Sequence, residues 1–429
     1  MSVAIMLFKR NIAFDTLTLV VVLIIVNIIR QQFFSNSLEI KRFLGYDSDL
    51  LLNFTQLANK YGYSSEEHTV VTEDGYLLKV FRIKNKKCEA RVKQPPLLLM
   101  HGLLQSSDAW LDASPGTGLA YLLADECFDA WVGNQRGNYY ARRHLTLNPD
   151  KDSAFWDFSV DQIGYYDVPA TIDYVLSNTG VKKLNYIGFS QGAGTFLVMC
   201  SERPEYCKKT NVLISISPAT RVKHTKSKSF RSLLNILSTC EDLLAQLKVN
   251  ELFGKESFLQ VLFEFICQIR LFSEPLCENF LCGILDSSHP GSITHKTFGM
   301  VYSHLPAGTS LRNMARYGQS LNAEDFQKYD FSETVNVVKY GSKEAPAYNL
   351  SSVSLPVVII YGANDHLVDT KDINWLVDKL PNVIGLEEVA DPLWNHLDSV
   401  YSQHIYKMIW PTVRRYLESF SETYMKTKS

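Results

Sequence analysis

Ser190 lies between two glycines, in Gly188-Phe189-Ser190-Gln191-Gly192. A short apolar run (184–187) comes directly before it and a helix-like stretch reaching Cys200 comes after. A chain that passes from strand to helix within one residue must adopt strained backbone there. Glycines on both sides remove the side chains that would clash. The turn lifts the serine hydroxyl clear of the strand. It also leaves the Gln191 N–H at a helix N-terminus, where it can meet developing negative charge. The bland alternative is a serine that caps a helix in a glycine-rich turn; the strand before it and the helix after it favour a nucleophile.

The surroundings fit the sheet that such a turn needs. Residues 66–83 predict a hairpin around Glu73-Asp74-Gly75, with Val70, Tyr76, Leu78, Val80 and Ile83 as strand formers. Pro95-Pro96 leads into Leu97-Leu98-Leu99-Met100, wholly apolar and therefore suited to a strand covered on both faces. Runs at 128–132, 184–187 and 211–216 read similarly, and Ile163, Val168, Ile172, Val175 and Leu176 recur at helical spacing. Strand alternating with helix implies an α/β fold with a mainly parallel central sheet. The pattern breaks between 221 and 345, where Leu233, Ile236, Leu237, Leu243, Leu244 and Leu247 mark helices, and Phe258, Leu262, Phe263 and Phe265 make the next part strongly apolar. It resumes at Pro356-Val357-Val358-Ile359-Ile360-Tyr361, with a further strand near 383–389. This predicts a core in two parts, 38–220 and 346–429, interrupted by an inserted helical cap or lid over 221–345. An insertion of that length should have structure and function of its own.

Composition is that of a globular chain: 429 residues, 46% hydrophobic and 21% charged, with a formal net charge of -2. Such a balance offers no basic field for nucleic acid. Residues 1–37 stand apart. Lys9 and Arg10 precede an apolar run over 17–29, which suits a secretory signal. A retained membrane anchor over residues 13–29 and a buried core helix are the other readings. The eight cysteines include no C-x-x-C pair, which gives a zinc or thioredoxin-like site little support. Cys267, Cys277 and Cys282 fall close together, so a local bridge is expected there, with buried free thiols as the alternative. Asn53 and Asn349 begin N-x-[ST] sequons and are candidate glycosylation sites if the chain enters the secretory pathway.

A serine nucleophile needs a base, and the base needs an orienting acid. In this fold the chain order is serine, acid, histidine. Asp365 ends Gly362-Ala363-Asn364-Asp365, just beyond the late strand, and His396 lies in Trp394-Asn395-His396-Leu397-Asp398, after the last one. Asp369 and Asp391 are weaker acids, since a lone loop aspartate is usually a turn residue. His404 falls in a helix-like stretch, and His366 is too close to Asp365 in the chain to reach back to it. The second oxyanion donor should follow an early strand, where His101-Gly102-Leu103 stands, and the N–H of Leu103 is the choice beside that of Gln191. His101 precedes the serine and is expected to order its loop.

These and other motifs together resemble the acid lipase family, that of gastric and lysosomal acid lipases. They are Val71-Thr72-Glu73-Asp74-Gly75-Tyr76, His101-Gly102-Leu103-Leu104, Trp131-Val132-Gly133-Asn134-Gln135-Arg136-Gly137-Asn138, Phe155-Trp156-Asp157-Phe158-Ser159, Tyr166-Asp167-Val168-Pro169-Ala170-Thr171-Ile172-Asp173, Ser303-His304-Leu305-Pro306-Ala307-Gly308-Thr309-Ser310 and Asn395-His396-Leu397-Asp398. The resemblance covers roughly residues 50 to 410. It implies an α/β-hydrolase core with a cap and mobile lid, acting at an interface on lipid esters of long-chain fatty acids, acylglycerols or sterol esters. The implied triad is Ser190, Asp365 and His396, the oxyanion donors are Leu103 and Gln191, and no metal or organic cofactor is needed. Members often bridge two cap cysteines, for which Cys267 and Cys277 are the closest match, although the spacing here departs from the usual one. The residue before the nucleophile is usually histidine in the family; here it is Phe189.

Two other functions compete. A carboxylesterase for small soluble esters would use the same fold, but the long apolar cap speaks against it. A non-catalytic lipid-binding protein would be expected to have lost a triad member, and all three are present. A secreted or lysosomal protein and one with transient or anchored membrane association are both compatible with the N-terminal segment.

Overall fold

The computed structural model describes residues 41–42, 46–88, 95–255, 260, 264 and 285–426. The N-terminal segment read as signal or anchor lies outside them, as do Cys267, Cys277 and Cys282. Among the described residues no helix is long and apolar enough to cross a membrane.

Among the described residues ten strands occur in chain order: β1 Tyr63–Val71, β2 Leu77–Asn85, β3 Leu97–Met100, β4 Ala130–Val132, β5 Leu184–Phe189, β6 Thr210–Ile216, β7 Glu251–Leu252, β8 Thr309–Ser310, β9 Val357–Tyr361 and β10 Val383–Glu388. Eight of them form one sheet in the order β1-β2-β4-β3-β5-β6-β9-β10, while β7 and β8 pair separately. β2 runs antiparallel to both of its neighbours, and every other pairing in the large sheet is parallel. The hairpin reading holds, with Gly75 at a φ of 94° in its turn.

The central strands have no polar face. β3 and β5 are buried throughout, which is why they read as unbroken apolar runs. Their side chains still alternate between two cores. Leu98, Met100, Tyr186, Leu213, Val357 and Ile359 join one cluster, with the helix Val168–Thr179 and the helix Gln191–Glu202. Leu97, Leu99, Ile187, Phe189, Ile214, Ile216, Val358 and Ile360 join the other, with Phe54–Lys60, Leu119–Asp125 and Trp410–Lys426. The edge strand β10 alternates half-buried and exposed residues, as one-sided cover requires.

Three of the quoted motifs meet at one guanidinium. Arg136 is 2% exposed, and its Nη1 and Nη2 donate to Asp74 at 2.6 and 2.8 Å. Its Nε donates to Asp167 Oδ1 at 2.8 Å, and its backbone N–H donates to Asp167 Oδ2 at 2.9 Å. The ring of Tyr76 lies 3.8 Å beneath it. Asp167 closes a π-helical turn, Ile163–Asp167, that the helical spacing of residues 161–177 did not reveal. Gly164 in that turn allows close packing, since a Cβ there would lie 2.5 Å from Val198.

Between β6 and β9 the regular elements among the described residues are mainly helices: Lys228–Thr239, Glu241–Gln246, His295–His304, Leu311–Gln319 and Glu333–Tyr340. Leu234, Leu237 and Leu244 are spent on packing, in the same cluster as Leu311, Met314 and Tyr317. Leu243 and Leu247 are exposed. Two disulfides that spacing did not single out join Cys88 to Cys127 and Cys200 to Cys207; Cys240 is free. Asn53 caps the helix Phe54–Lys60 through its side chain, and both it and Asn349 are exposed.

Candidate active site

The strand order places the site. β4 lies on one side of β3 and β5 on the other, so the chain reverses direction across the sheet between β3 and β5. In open parallel sheets the crevice at the carboxyl ends of two such strands is where ligands bind. Here those ends carry His101-Gly102-Leu103 and Ser190.

Ser190 has φ 52° and ψ -117° and stands directly before the helix Gln191–Glu202. Its N–H donates to the Ile216 carbonyl at 2.9 Å, and its own carbonyl accepts from Ala193 at 3.1 Å, Gly194 at 3.2 Å and Ala219 at 3.1 Å. The strained residue is thus held from both sides. The glycines are required by close approach. A Cβ on Gly192 would lie 2.3 Å from the Met100 carbonyl oxygen, and one on Gly188 would lie 2.6 Å from the Ala193 backbone. Gly192→Ala is therefore expected to push the helix off β3. We expect about 1–3 kcal/mol of destabilisation, with hydrolysis falling further than stability does, measured by thermal melting beside kcat on a soluble ester.

Gln191 is the first helical residue, so its N–H has no intrahelical acceptor. Its side chain donates to Gln135 Oε1 at 2.5 Å and accepts from Asn313 Nδ2 at 2.9 Å. The loop bearing Leu103 packs against the serine, since a Cβ on Gly102 would sit 3.0 Å from Ser190 Cβ. Gly102 N–H donates to Gln105 Oε1 at 2.8 Å, and Ala307 N–H donates to the Leu104 carbonyl at 2.7 Å. His101 is buried. Its Nε2 accepts from the Gln135 N–H at 3.1 Å, which leaves Nδ1 to donate to the Gly102 carbonyl at 2.8 Å. Burial pushes its pKa down to about 4, so the ring stays neutral and orders the loop. Gln135 and Asn313 were not singled out as site residues in the sequence, although both lie in or beside quoted motifs.

Asp365 and His396 come together, buried, with His396 Nδ1 2.7 Å from Asp365 Oδ2. Asp365 Oδ1 accepts the N–H groups of Leu367 at 2.9 Å and Val368 at 2.7 Å, which fixes the carboxylate. Burial opposes charging His396, but attraction and a hydrogen bond from Asp365 outweigh it and leave the pKa raised. Phe189, 1% exposed, packs its ring against the imidazole, with centroids 4.8 Å apart and planes 41° from each other. That contact sets His396 beside the residue next to Ser190 and gives Phe189 a role in holding the ring. The rival acids are occupied elsewhere. Asp369 caps the helix Thr370–Lys379, Asp391 accepts from the Leu393 N–H at 3.0 Å, and His404 is only half-buried, at the start of Ile405–Met408. Among the described residues no cluster of histidine, cysteine or carboxylate side chains could hold a metal ion.

Comparison with known proteins shows the family of the chain. The profile of the partial alpha/beta-hydrolase lipase region matches residues 54–114, and that of the alpha/beta hydrolase fold matches residues 95–239. The chain is 38% identical to Lipase 1 of Drosophila melanogaster, over 84% of this chain and 79% of that protein. It is 36% identical to human gastric triacylglycerol lipase, over 82% of this chain and 88% of that protein. A solved structure of a hypothetical protein from Pseudomonas aeruginosa shares the fold, with a TM-score of 0.50 at 12% identity, covering 84% of this chain and 94% of that one. Identity at this level over this much of both chains establishes kinship, and the chain belongs to the acid lipase family, serine ester hydrolases of the α/β-hydrolase fold.

Proposed function

We propose that Ser190, His396 and Asp365 form the catalytic triad of a lipase that cleaves long-chain fatty acid esters, in acylglycerols, sterol esters or both. The observation that carries this reading is the buried Asp365–His396 pair at 2.7 Å, with its imidazole packed on Phe189 beside the strained Ser190. In the first step His396 Nε2 takes the Ser190 proton as Oγ attacks the ester carbonyl carbon. The oxyanion is met by the N–H groups of Leu103 and Gln191, each donor worth about 3–4 kcal/mol in the transition state. His396 then returns the proton to the departing alcohol. In the second step it activates water, which releases the fatty acid and frees Ser190.

Lipid ester as substrate is supported by the relatives' activity and by the exposed Leu243 and Leu247 on the cap, which suit an apolar interface. The two disulfides favour an oxidising compartment, and with it the secretory pathway, whether the product is secreted or lysosomal. The test is a panel of p-nitrophenyl and glyceryl esters from C2 to C18, in solution and as emulsion, with Ser190→Ala as control. Rates should rise with chain length and with the presence of an interface. A preference for short soluble esters would instead identify a carboxylesterase.

A further inference from the structure

Outside the triad, two adjacent residues in the middle of the inserted segment touch both of the turns that carry the acid and the base. Asp286 Oδ1 accepts the His366 N–H at 3.0 Å, and its Oδ2 accepts the Leu397 N–H at 3.2 Å. Ser287 Oγ donates to the Asn364 carbonyl at 2.5 Å, and the Ser287 carbonyl accepts from Asn395 Nδ2 at 2.7 Å. Each of the two residues therefore bonds to both turns. The four bonds end on the residues immediately before and after Asp365 and immediately before and after His396. Both residues are buried, Asp286 to 3% exposure.

We propose that Asp286 and Ser287 form a brace that holds the Asp365 turn and the His396 turn in register, with Asp286 as a positioning residue for the hydrolysis. The proposal rests on the triad reading above. A triad acid and base carried on separate loops need a fixed separation, because a shift of about 1 Å can cost on the order of 10²-fold in rate. Part of that separation is set directly, since Asn364 N–H donates to the Trp394 carbonyl at 3.2 Å and Asn364 Nδ2 to that of Leu393 at 3.0 Å. Those bonds reach only the residues before Asp365 and His396. The brace adds the far side of each, at His366 and Leu397. Its chemistry also suits the place. Burial and the nearby Asp365 push the Asp286 pKa up, while the two N–H groups that it accepts pull the other way and hold the carboxyl group in place.

The test compares the full-length wild type with Asp286→Ala, Asp286→Asn and Ser287→Ala on a soluble short-chain ester, with melting temperature measured in parallel. Asp286→Ala should lose about 10²-fold in kcat with KM within threefold. Asp286→Asn keeps the shape and one acceptor oxygen, and should recover at least tenfold of that loss. A kcat for Asp286→Ala within threefold of wild type, or a loss confined to KM, would overturn the proposal. If Asp286→Ala does not fold, Ser287→Ala decides: a severalfold fall in kcat supports the brace, and an unchanged kcat overturns it. Ser190→Ala, tested beside them with a fluorophosphonate probe, separates the two levels of inference. Labelling and hydrolysis that persist in Ser190→Ala sink the triad reading and the brace with it. Their loss there, together with a wild-type kcat in Asp286→Ala, sinks the brace alone.

Discussion

Ser190→Ala should lower kcat by about 10⁶-fold, the scale seen when a triad serine is removed, while leaving the fold intact. Only Oγ is lost in this exchange. The backbone bonds that hold residue 190, to Ile216, Ala193, Gly194 and Ala219, do not involve the side chain. Alanine also tolerates the positive φ no worse than serine. The variant should therefore melt within a few degrees of wild type and still bind ester. Residual turnover would come from the Leu103 and Gln191 donors and from substrate placement. Single-turnover kinetics with a chromogenic ester would show this, as the acyl-enzyme burst disappears. A burst of wild-type amplitude in the variant would mean that another residue carries the acyl group.

Asp365→Asn should cost about 10⁴-fold in kcat, because the exchange leaves the shape and changes the tautomer. Asp365 Oδ1 is already committed to the N–H groups of Leu367 and Val368. In the variant the amide oxygen keeps those bonds and its NH₂ must face His396 Nδ1. A donor there turns Nδ1 into an acceptor and moves the imidazole proton to Nε2, the atom that has to receive the Ser190 proton. The sign of the accompanying pH effect follows from the same pair. Asp365 raises the His396 pKa against the effect of burial, so its removal lowers that pKa. The acid limb of the residual kcat/KM profile should then move to lower pH than in wild type. A limb that stays in place, or a kcat within tenfold of wild type, would show that Asp365 does not orient the base.

Much of this was legible in the sequence because the decisive signals are local. The elbow needs glycines for steric reasons, and Gly188 and Gly192 sit against backbone atoms where nothing larger fits. Strands buried on both faces show as apolar runs, so β3, β5, β6 and β9 were readable. Chain order then led from Ser190 to Asp365 and His396. What was hidden is non-local. Asp286 follows an apolar segment and reads as a loop carboxylate; its meaning lies in two N–H groups, 80 and 111 residues further along the chain. The disulfide partners Cys88 and Cys127 lie 39 residues apart, and spacing alone cannot choose among pairings. The π-helical turn at Ile163–Asp167 keeps an ordinary helical apolar pattern, so its extra residue per turn leaves no mark in the sequence. Phe189 departs from the usual family residue, and its contact with the imidazole of His396, 207 residues further along the chain, is non-local as well.

The inserted segment leaves the sheet after β6 and re-enters it at β9, yet these two strands are direct neighbours, with Ile216 opposite Ile360. The pairing of the sheet is thus indifferent to what lies between them. A change in the length or packing of that insert therefore need not alter the strand that leads to Asp365. Engineering of the insert should spare residues 286 and 287, where it is bonded to the turns of Asp365 and His396.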